Sequence, residues 1–132
     1  MVDLLFTPSL TINLLPINTT NTTLNETDVK MLYSGTVFPK SIDYSFRGNY
    51  MAFTDITLRQ LTIAPINYKN PSLVSDRIVL RYLKSPYSLS IDWIHDLIYW
   101  TDLETRAINV LNINRPEDHY TIINTTNHIP KI

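Results

Sequence analysis

The chain of 132 residues has no cysteine, so disulfide bridges and thiolate zinc sites are excluded. It has only two glycines, Gly35 and Gly48, and this excludes a glycine-rich phosphate-binding loop. The 11 Lys and Arg residues nearly balance the 12 Asp and Glu residues, which argues against a nucleic-acid-binding protein. No apolar run approaches the roughly 18 residues of a membrane-spanning helix, and no signal peptide is visible at the start.

Alanine is also scarce, with 3 residues against 16 isoleucines and 16 threonines. β-Branched and aromatic side chains fit the surface of a pleated sheet. The apolar runs are short, turn residues separate them, and no segment keeps a sustained helical period. The sequence therefore predicts an all-β fold.

An internal repeat of 47 residues organises the chain. Pairs of an aromatic residue and a threonine begin at Phe6, Phe53 and Trp100, which are separated by this step. The same step separates three further pairs: Pro39 and Pro86, Arg59 and Arg106, Asn67 and Asn114. A second alignment, at 49 residues, matches Ser41-Ile42-Asp43-Tyr44 with Ser90-Ile91-Asp92-Trp93 and implies that the turn after the second segment is two residues shorter.

Each complete period holds four strand-like runs, and a four-strand unit of 40–50 residues is the size of one β-propeller blade. We expect about 2.8 blades of four antiparallel strands at this length. The expected boundaries are 1–37, 38–84 and 85–128, with the start of a next blade at 129–132. Runs such as 97–100 are apolar on both faces and must be covered on both sides, as blades are. An ordinary β-sandwich is the alternative.

The segment Ser90–Asp102 closely resembles the YWTD repeat, or class B repeat, of propellers in the low-density lipoprotein receptor family. Its tetrad Tyr99-Trp100-Thr101-Asp102 matches completely, whereas Ala52-Phe53-Thr54-Asp55 and Leu5-Phe6-Thr7-Pro8 are degenerate copies. The resemblance implies a six-bladed propeller of roughly 250–280 residues. By that measure the chain is the N-terminal part of one propeller and a fragment.

The tetrad has a structural interpretation. Strand alternation sends Tyr99 and Thr101 to one face and Trp100 and Asp102 to the other, where the rings would fill layers between blades. Asp55 and Asp102 each precede an arginine, Arg59 or Arg106, across a three-residue loop. We expect these carboxylates to accept hydrogen bonds from the backbone of the turn or from the arginine. A catalytic or metal-binding Asp102 is the weaker alternative.

Asp43 and Asp92 are predicted to end inner strands near the propeller axis, where they are structural or line the channel mouth. The alternative is a propeller hydrolase or lactonase with an axial divalent metal held by such carboxylates. His95, His119 and His128 show no spacing typical of metal ligands. We therefore predict no catalytic residue, no metal and no cofactor.

Four Asn-x-Thr sequons are candidate N-glycosylation sites. Three crowd one polar run, and the fourth lies near the end of the chain: Asn18, Asn21, Asn25 and Asn124.

The family resemblance implies a non-enzymatic extracellular module that binds protein ligands in an endocytic or signalling receptor related to the low-density lipoprotein receptor. It would lie on the extracellular face of a cell-surface or endosomal membrane receptor, without inserting into the membrane. Besides protein ligands, its expected partners are the neighbouring blades and EGF-like modules of the parent. Acid-triggered ligand release, with the histidines as titrating groups, and Wnt co-receptor binding are two family roles between which the sequence does not choose. A fragment without a function of its own is a third reading, and the ligand-binding residues stay unassigned.

Overall fold

The structure, a computed structural model, describes residues 2–6, 11–17, 30–34, 36, 38–66 and 78–125. All regular secondary structure in these ranges is β-strand. The strands are β1 (Val2–Phe6), β2 (Thr11–Ile17), β3 (Lys30–Ser34), β4 (Pro39–Ser45), β5 (Tyr50–Asp55), β6 (Gln60–Pro65), β7 (Ile78–Leu80), β8 (Pro86–Asp92), β9 (Leu97–Asp102), β10 (Ala107–Asn112) and β11 (Arg115–Asn124).

The strands form three antiparallel sheets in which neighbours in the chain are neighbours in the sheet. The first sheet contains β1, β2 and β3, the second runs from β4 to β7, and the third runs from β8 to β11. Antiparallel neighbours need only short connections, which suits a sequence with many short apolar runs. The predicted all-β fold is confirmed.

The second sheet lies between the other two, and its strand β5 shows why the sequence requires this. All six residues of β5 are buried. Met51 and Phe53 pack in a cluster with Ile12 of the first sheet, whereas Tyr50 and Ala52 pack in a cluster with the third sheet. Because successive side chains point to opposite faces, a strand that is buried at every position must lie between two layers.

Trp100 occupies the layer between the second and third sheets. Its side chain is 1% exposed and belongs to the cluster that contains Ala52, Leu61 and Leu111. Tyr99 points to the other face of the third sheet, where it is half-buried. The two aromatic residues of the tetrad therefore lie on opposite sides of one sheet, as strand alternation predicts.

Four hairpin loops of four residues each connect the first three strands of the second and third sheets: 46–49, 56–59, 93–96 and 103–106. The last residue of each has a positive φ of about 54°: Asn49, Arg59, Asp96 and Arg106. The carbonyls of Arg59 and Arg106 accept hydrogen bonds from the N–H groups of Leu83 (3.0 Å) and Thr125 (2.9 Å). These arginines therefore have a defined backbone role, and their side chains are exposed.

The equal loop lengths overturn the 49-residue alignment of the inner strands. Asp43 pairs with Ala52, whereas Ser90 pairs with Tyr99, and Ala52 and Tyr99 are 47 residues apart. Asp43 is thus equivalent to Ser90. The prediction that matched Asp43 with Asp92 is wrong because it assumed a shorter second turn. Asp92 ends β8, whereas Asp43 lies two residues before the end of β4.

The last strand is irregular at its start. β11 begins at Arg115, which pairs with Asn112. The next pair joins Leu111 to His119, so the three residues between Arg115 and His119 bulge out of the ladder. Within the described ranges, no helix has the length and apolar character needed to span a membrane.

Candidate functional site

Asp102 joins two loop segments by hydrogen bonds at one end of the third sheet. One carboxylate oxygen accepts hydrogen bonds from the N–H groups of Glu104 and Thr105, both 3.0 Å away, and the other accepts one from Ser85 N–H at 2.9 Å. The hairpin loop is thereby tied to the segment that enters β8. Asp55 does the same in the second sheet, with Thr57, Leu58 and Phe38 as donors. Both aspartates are buried.

The loops at the opposite end use the same device with different residues. Ser45 Oγ accepts a hydrogen bond from Gly48 N–H at 3.0 Å, and Asp92 Oδ1 accepts bonds from Ile94 and His95 N–H at 3.1 and 3.3 Å. Gly48 allows a close approach, because a Cβ there would collide with the ring of Tyr50. These short bonds hold loops 46–49 and 93–96 in defined conformations.

Side chains of the second sheet also bind the backbone of the inner strand β8. Leu89 N–H donates to Ser41 Oγ at 3.1 Å, and Ile91 N–H donates to Asp43 Oδ2 at 2.9 Å. Thr54 Oγ1 donates to the carbonyl of Tyr87 at 2.6 Å. The N–H groups of Leu89 and Ile91 face away from β9, so these bonds satisfy donors at an open sheet edge. Asp43 thus orders the inner strands rather than ending one.

These contacts shape a hollow of about 620 Å³ at the end of the second and third sheets that carries loops 46–49 and 93–96. Its wall comes from the end of β4, the loop that follows, and the end of β8: Asp43, Tyr44, Ser45, Phe46, Arg47, Ile91 and Trp93. Phe46 is 63% exposed and Trp93 is 51% exposed. The Phe46 ring stands edge-on to Tyr44 with centroids 4.7 Å apart, so it is held in place without being covered.

The charges around this hollow are mixed. Arg47 is exposed on one wall, and the carboxylate of Asp43 lies on another. His95 Nδ1 lies 2.8 Å from Asp92 Oδ2, and this hydrogen bond lowers the pKa of Asp92 below its ordinary value of 3.8. Burial raises the pKa of Tyr50 above 10.0, and the carboxylate of Asp96 acts in the same direction. The end of the sheets therefore carries apolar rings beside both signs of charge.

The structure brings the predicted residues together only in part. Asp55 and Asp102 hold loops at one end, whereas Asp43 and Asp92 lie at the end with the hollow. Within the described ranges, no group of three or more His, Asp and Glu side chains gathers in a way that would hold a metal ion. His119 lies beside Trp100, with ring centroids 5.8 Å apart, and His128 lies outside the described residues.

One of the four candidate glycosylation sites lies in the described residues. Asn124 is exposed at the end of β11. Asn18, Asn21 and Asn25 lie outside the described residues.

Phe46 and Arg47 are functional candidates that the sequence analysis missed. Phe46 is an aromatic residue next to Arg47-Gly48-Asn49, a turn signal, and large apolar side chains in turns are often exposed for binding. An aromatic residue directly before a turn is the sequence feature that could have identified Phe46 as a candidate. Ser41 was missed as a hydrogen-bonding residue, because only the structure shows that β8 lies within reach of its hydroxyl.

Comparisons with known proteins agree with this architecture. The chain is 31% identical over 81 residues to low-density lipoprotein receptor-related protein 5 of Mus musculus, a match that covers 61% of the chain. It is 26% identical over 74 residues, or 56% of the chain, to low-density lipoprotein receptor-related protein 8 of Homo sapiens. No family model matches the chain.

A chain in the crystal structure of a nidogen/laminin complex superimposes on 93% of this chain with a TM-score of 0.76 at 20% identity. That match confirms the predicted fold, a part of a β-propeller, and each four-stranded sheet is one blade. The matches span 5% and 8% of the two curated relatives and 44% of the solved chain.

Proposed function

Because this chain carries YWTD β-propeller repeats of the low-density lipoprotein receptor family, we propose that it binds protein ligands without catalysing a reaction. The parent would be an endocytic or signalling receptor related to the low-density lipoprotein receptor, and the segment would lie on its extracellular side. The observation that carries the proposal is the hollow between Phe46 and Trp93, two exposed aromatic side chains at one end of adjacent blades.

The size and chemistry of the hollow suit a protein segment. Its volume of about 620 Å³ is large enough for two or three side chains. Tryptophan and arginine are among the residues that contribute most to protein–protein binding, and this hollow has Trp93 and Arg47 on its walls. The edge-on packing of Phe46 against Tyr44 reduces the entropy lost when a partner binds.

The remaining parts of the proposal follow from the family. Further blades and EGF-like modules of the parent would flank this segment, with blade boundaries at 37/38 and 84/85 and a next blade from 129. A glycan at Asn124 would extend from the outer strand β11. The nidogen/laminin complex offers one example of a protein partner for a propeller of this fold.

Selection from a random peptide library displayed on phage, with the full chain as bait, tests the proposal. We expect enriched peptides to bind the chain and to lose about 30-fold in affinity for the variant Trp93→Ala, the usual effect of removing a central aromatic anchor. Phe46→Ala should weaken the same peptides. Calorimetry of each synthetic peptide with each variant measures both effects.

Tyr120→Ala provides the matched control, since Tyr120 is also an exposed aromatic residue but lies on the outer strand β11. The control variant should bind the peptides as the unmodified chain does. Peptides that bind Trp93→Ala and Phe46→Ala with undiminished affinity would remove this hollow from the proposal.

A further inference from the structure

We call the hollow between Phe46 and Trp93 the aromatic hollow. The opposite end of the sheets carries a second surface, which we call the basic end. It consists of Arg59, Arg81, Tyr82 and Lys84, all exposed. These residues surround a hollow of about 310 Å³ between the loop 56–59 and the segment 81–85 that joins the second and third sheets. The hydrogen bond from Leu83 N–H to the carbonyl of Arg59 fixes the joining segment against that loop.

The three cations of the basic end have no ionic partner in the described part of the chain. The ion pairs found there, His95 with Asp92 and Arg115 with Asp118, lie elsewhere. The nearest buried carboxylates, Asp55 and Asp102, accept hydrogen bonds from backbone N–H groups. Three positive charges around one hollow create a positive potential that attracts anionic groups.

Tyr82 gives the basic end a feature that hairpin geometry does not explain. Its φ is +62° and its side chain is 91% exposed. The other residues with positive φ close four-residue hairpin loops, whereas Tyr82 lies in the segment between two sheets. A bulky residue in this conformation costs free energy, and such residues collect at binding sites.

On its far side, the same segment borders a second hollow of about 350 Å³. Lys84 and Tyr82 line it together with Asn109, His119 and Thr121. Thr121 Oγ1 donates to Asn109 Oδ1 at 2.7 Å, which leaves the amide N–H groups of Asn109 facing other partners. The two hollows therefore differ, because the first carries three cations, whereas the second combines Lys84 and the carboxylate of Asp102 with neutral hydrogen-bonding groups.

We propose that the basic end binds an extended acidic peptide segment of a protein partner. Carboxylates of the peptide would contact Arg59, Arg81 and Lys84, and its backbone would pass Tyr82 to reach the amide of Asn109. A sulfated polysaccharide also presents anionic groups, and comparison with heparin distinguishes it from a peptide. This surface is separate from the aromatic hollow and does not depend on the function proposed for it.

Fluorescence anisotropy with a labelled nine-residue peptide of alternating glycine and glutamate tests the proposal on the full chain. The double variant Arg81→Glu/Lys84→Glu should lose about tenfold or more in affinity, since two attractive contacts become repulsive. Added salt should weaken binding to the unmodified chain. The same peptide with glutamine in place of glutamate should bind at least tenfold more weakly.

The matched control is Arg115→Glu, which is compared with the single variant Arg81→Glu and changes the net charge equally, away from the basic end. It should bind the peptide within about twofold of the unmodified chain, since distant charges are screened. If the double variant at the basic end fails to fold, Arg81→Gln/Lys84→Gln takes its place, with a loss of at least threefold expected.

Three results would overturn the proposal. They are equal losses in Arg81→Glu and Arg115→Glu, no binding of the glutamate peptide to the unmodified chain, and tighter binding of a heparin hexasaccharide than of the peptide at the same residues. Each of them leaves the effect of Trp93→Ala on library peptides untouched, so failure here is distinguishable from failure of the proposed function.

Discussion

Replacing Asp102 tests whether the last residue of the tetrad is structural. The substitution Asp102→Asn keeps the size of the side chain but replaces one acceptor oxygen with a donor. In the unmodified chain, Asp102 Oδ2 accepts a hydrogen bond from Ser85 N–H at 2.9 Å, and Oδ1 accepts the bonds from Glu104 and Thr105 N–H. If the asparagine oxygen keeps the two loop bonds, its amide group faces Ser85 N–H, and two donors meet without an acceptor. If the amide flips, the two loop donors lose their acceptor instead.

The magnitude follows from the burial of the site. Hydrogen bonds to a charged group contribute about 1.5–3 kcal/mol each, and a buried donor left without an acceptor adds to the loss. Because Asp102 is buried whereas Glu104 and Thr105 are exposed, water can replace the loop bonds more readily than the bond to Ser85. We therefore expect Asp102→Asn to lower the free energy of unfolding by about 2 kcal/mol and Asp102→Ala by about 3 kcal/mol.

Urea unfolding followed by tryptophan fluorescence measures these differences, with Asp118→Asn as the control. Asp118 is an exposed partner of Arg115 at 3.7 Å, and its replacement should cost less than about 0.5 kcal/mol. An effect of Asp102→Asn no larger than that of the control would refute the structural reading of Asp102.

Three further predictions concern packing and pH. Trp100→Ala should lower the free energy of unfolding by about 3–5 kcal/mol, whereas Trp93→Ala should lower it by less than about 1 kcal/mol. Urea unfolding measures both values, and equal losses would contradict the buried position of Trp100. Gly48→Ala should cost about 1–3 kcal/mol, because its methyl group collides with the Tyr50 ring, and a melting temperature equal to that of Asn49→Ala would argue against this contact. NMR titration should give Asp92 a pKa below 3.8, so its contribution to stability is present above that pH and is lost as the pH falls through the lower folded value. His95→Ala should return this pKa toward 3.8, and an unchanged pKa would contradict the role of His95.

The fold could be predicted because its main determinants are local and repeated. Continuous apolar runs such as 97–100, turn residues between them and a step of 47 residues all appear in the sequence. Strand alternation also placed Trp100 and Tyr99 on opposite faces correctly. These features depend on strand geometry alone, which a sequence pattern records directly.

The position of Asp43 could not be predicted, because it depends on how two hairpins align. Ser-Ile-Asp followed by an aromatic residue occurs twice at a step of 49, yet strand pairing equates Asp43 with Ser90. This local match of four residues conflicts with Pro39 and Pro86, which keep the correct step of 47 residues. Register follows from turn length, and both turns have four residues.

The binding surfaces could be predicted least. The aromatic hollow joins residues 43–47 to residues 91 and 93, and the basic end joins residues 58–60 to residues 81–84. Neither group is contiguous: the first forms where adjacent sheets stack, and the second forms where the segment after β7 folds back against the loop 56–59. Likewise, the sequence alone does not show that Phe46 and Tyr82 are exposed, because their exposure depends on how the sheets assemble.

Hydrogen exchange at the N–H groups of Leu89 and Ile91 tests the stacking of the blades most directly. In an isolated sheet these two groups would lie at an open edge and exchange rapidly, whereas here they donate to Ser41 and Asp43 of the preceding sheet. The account predicts slow exchange at both, and selectively faster exchange at Ile91 in the variant Asp43→Ala. Rapid exchange of Leu89 and Ile91 in the unmodified chain, with Ser90 still protected by β9, would contradict the stacking of the second and third sheets.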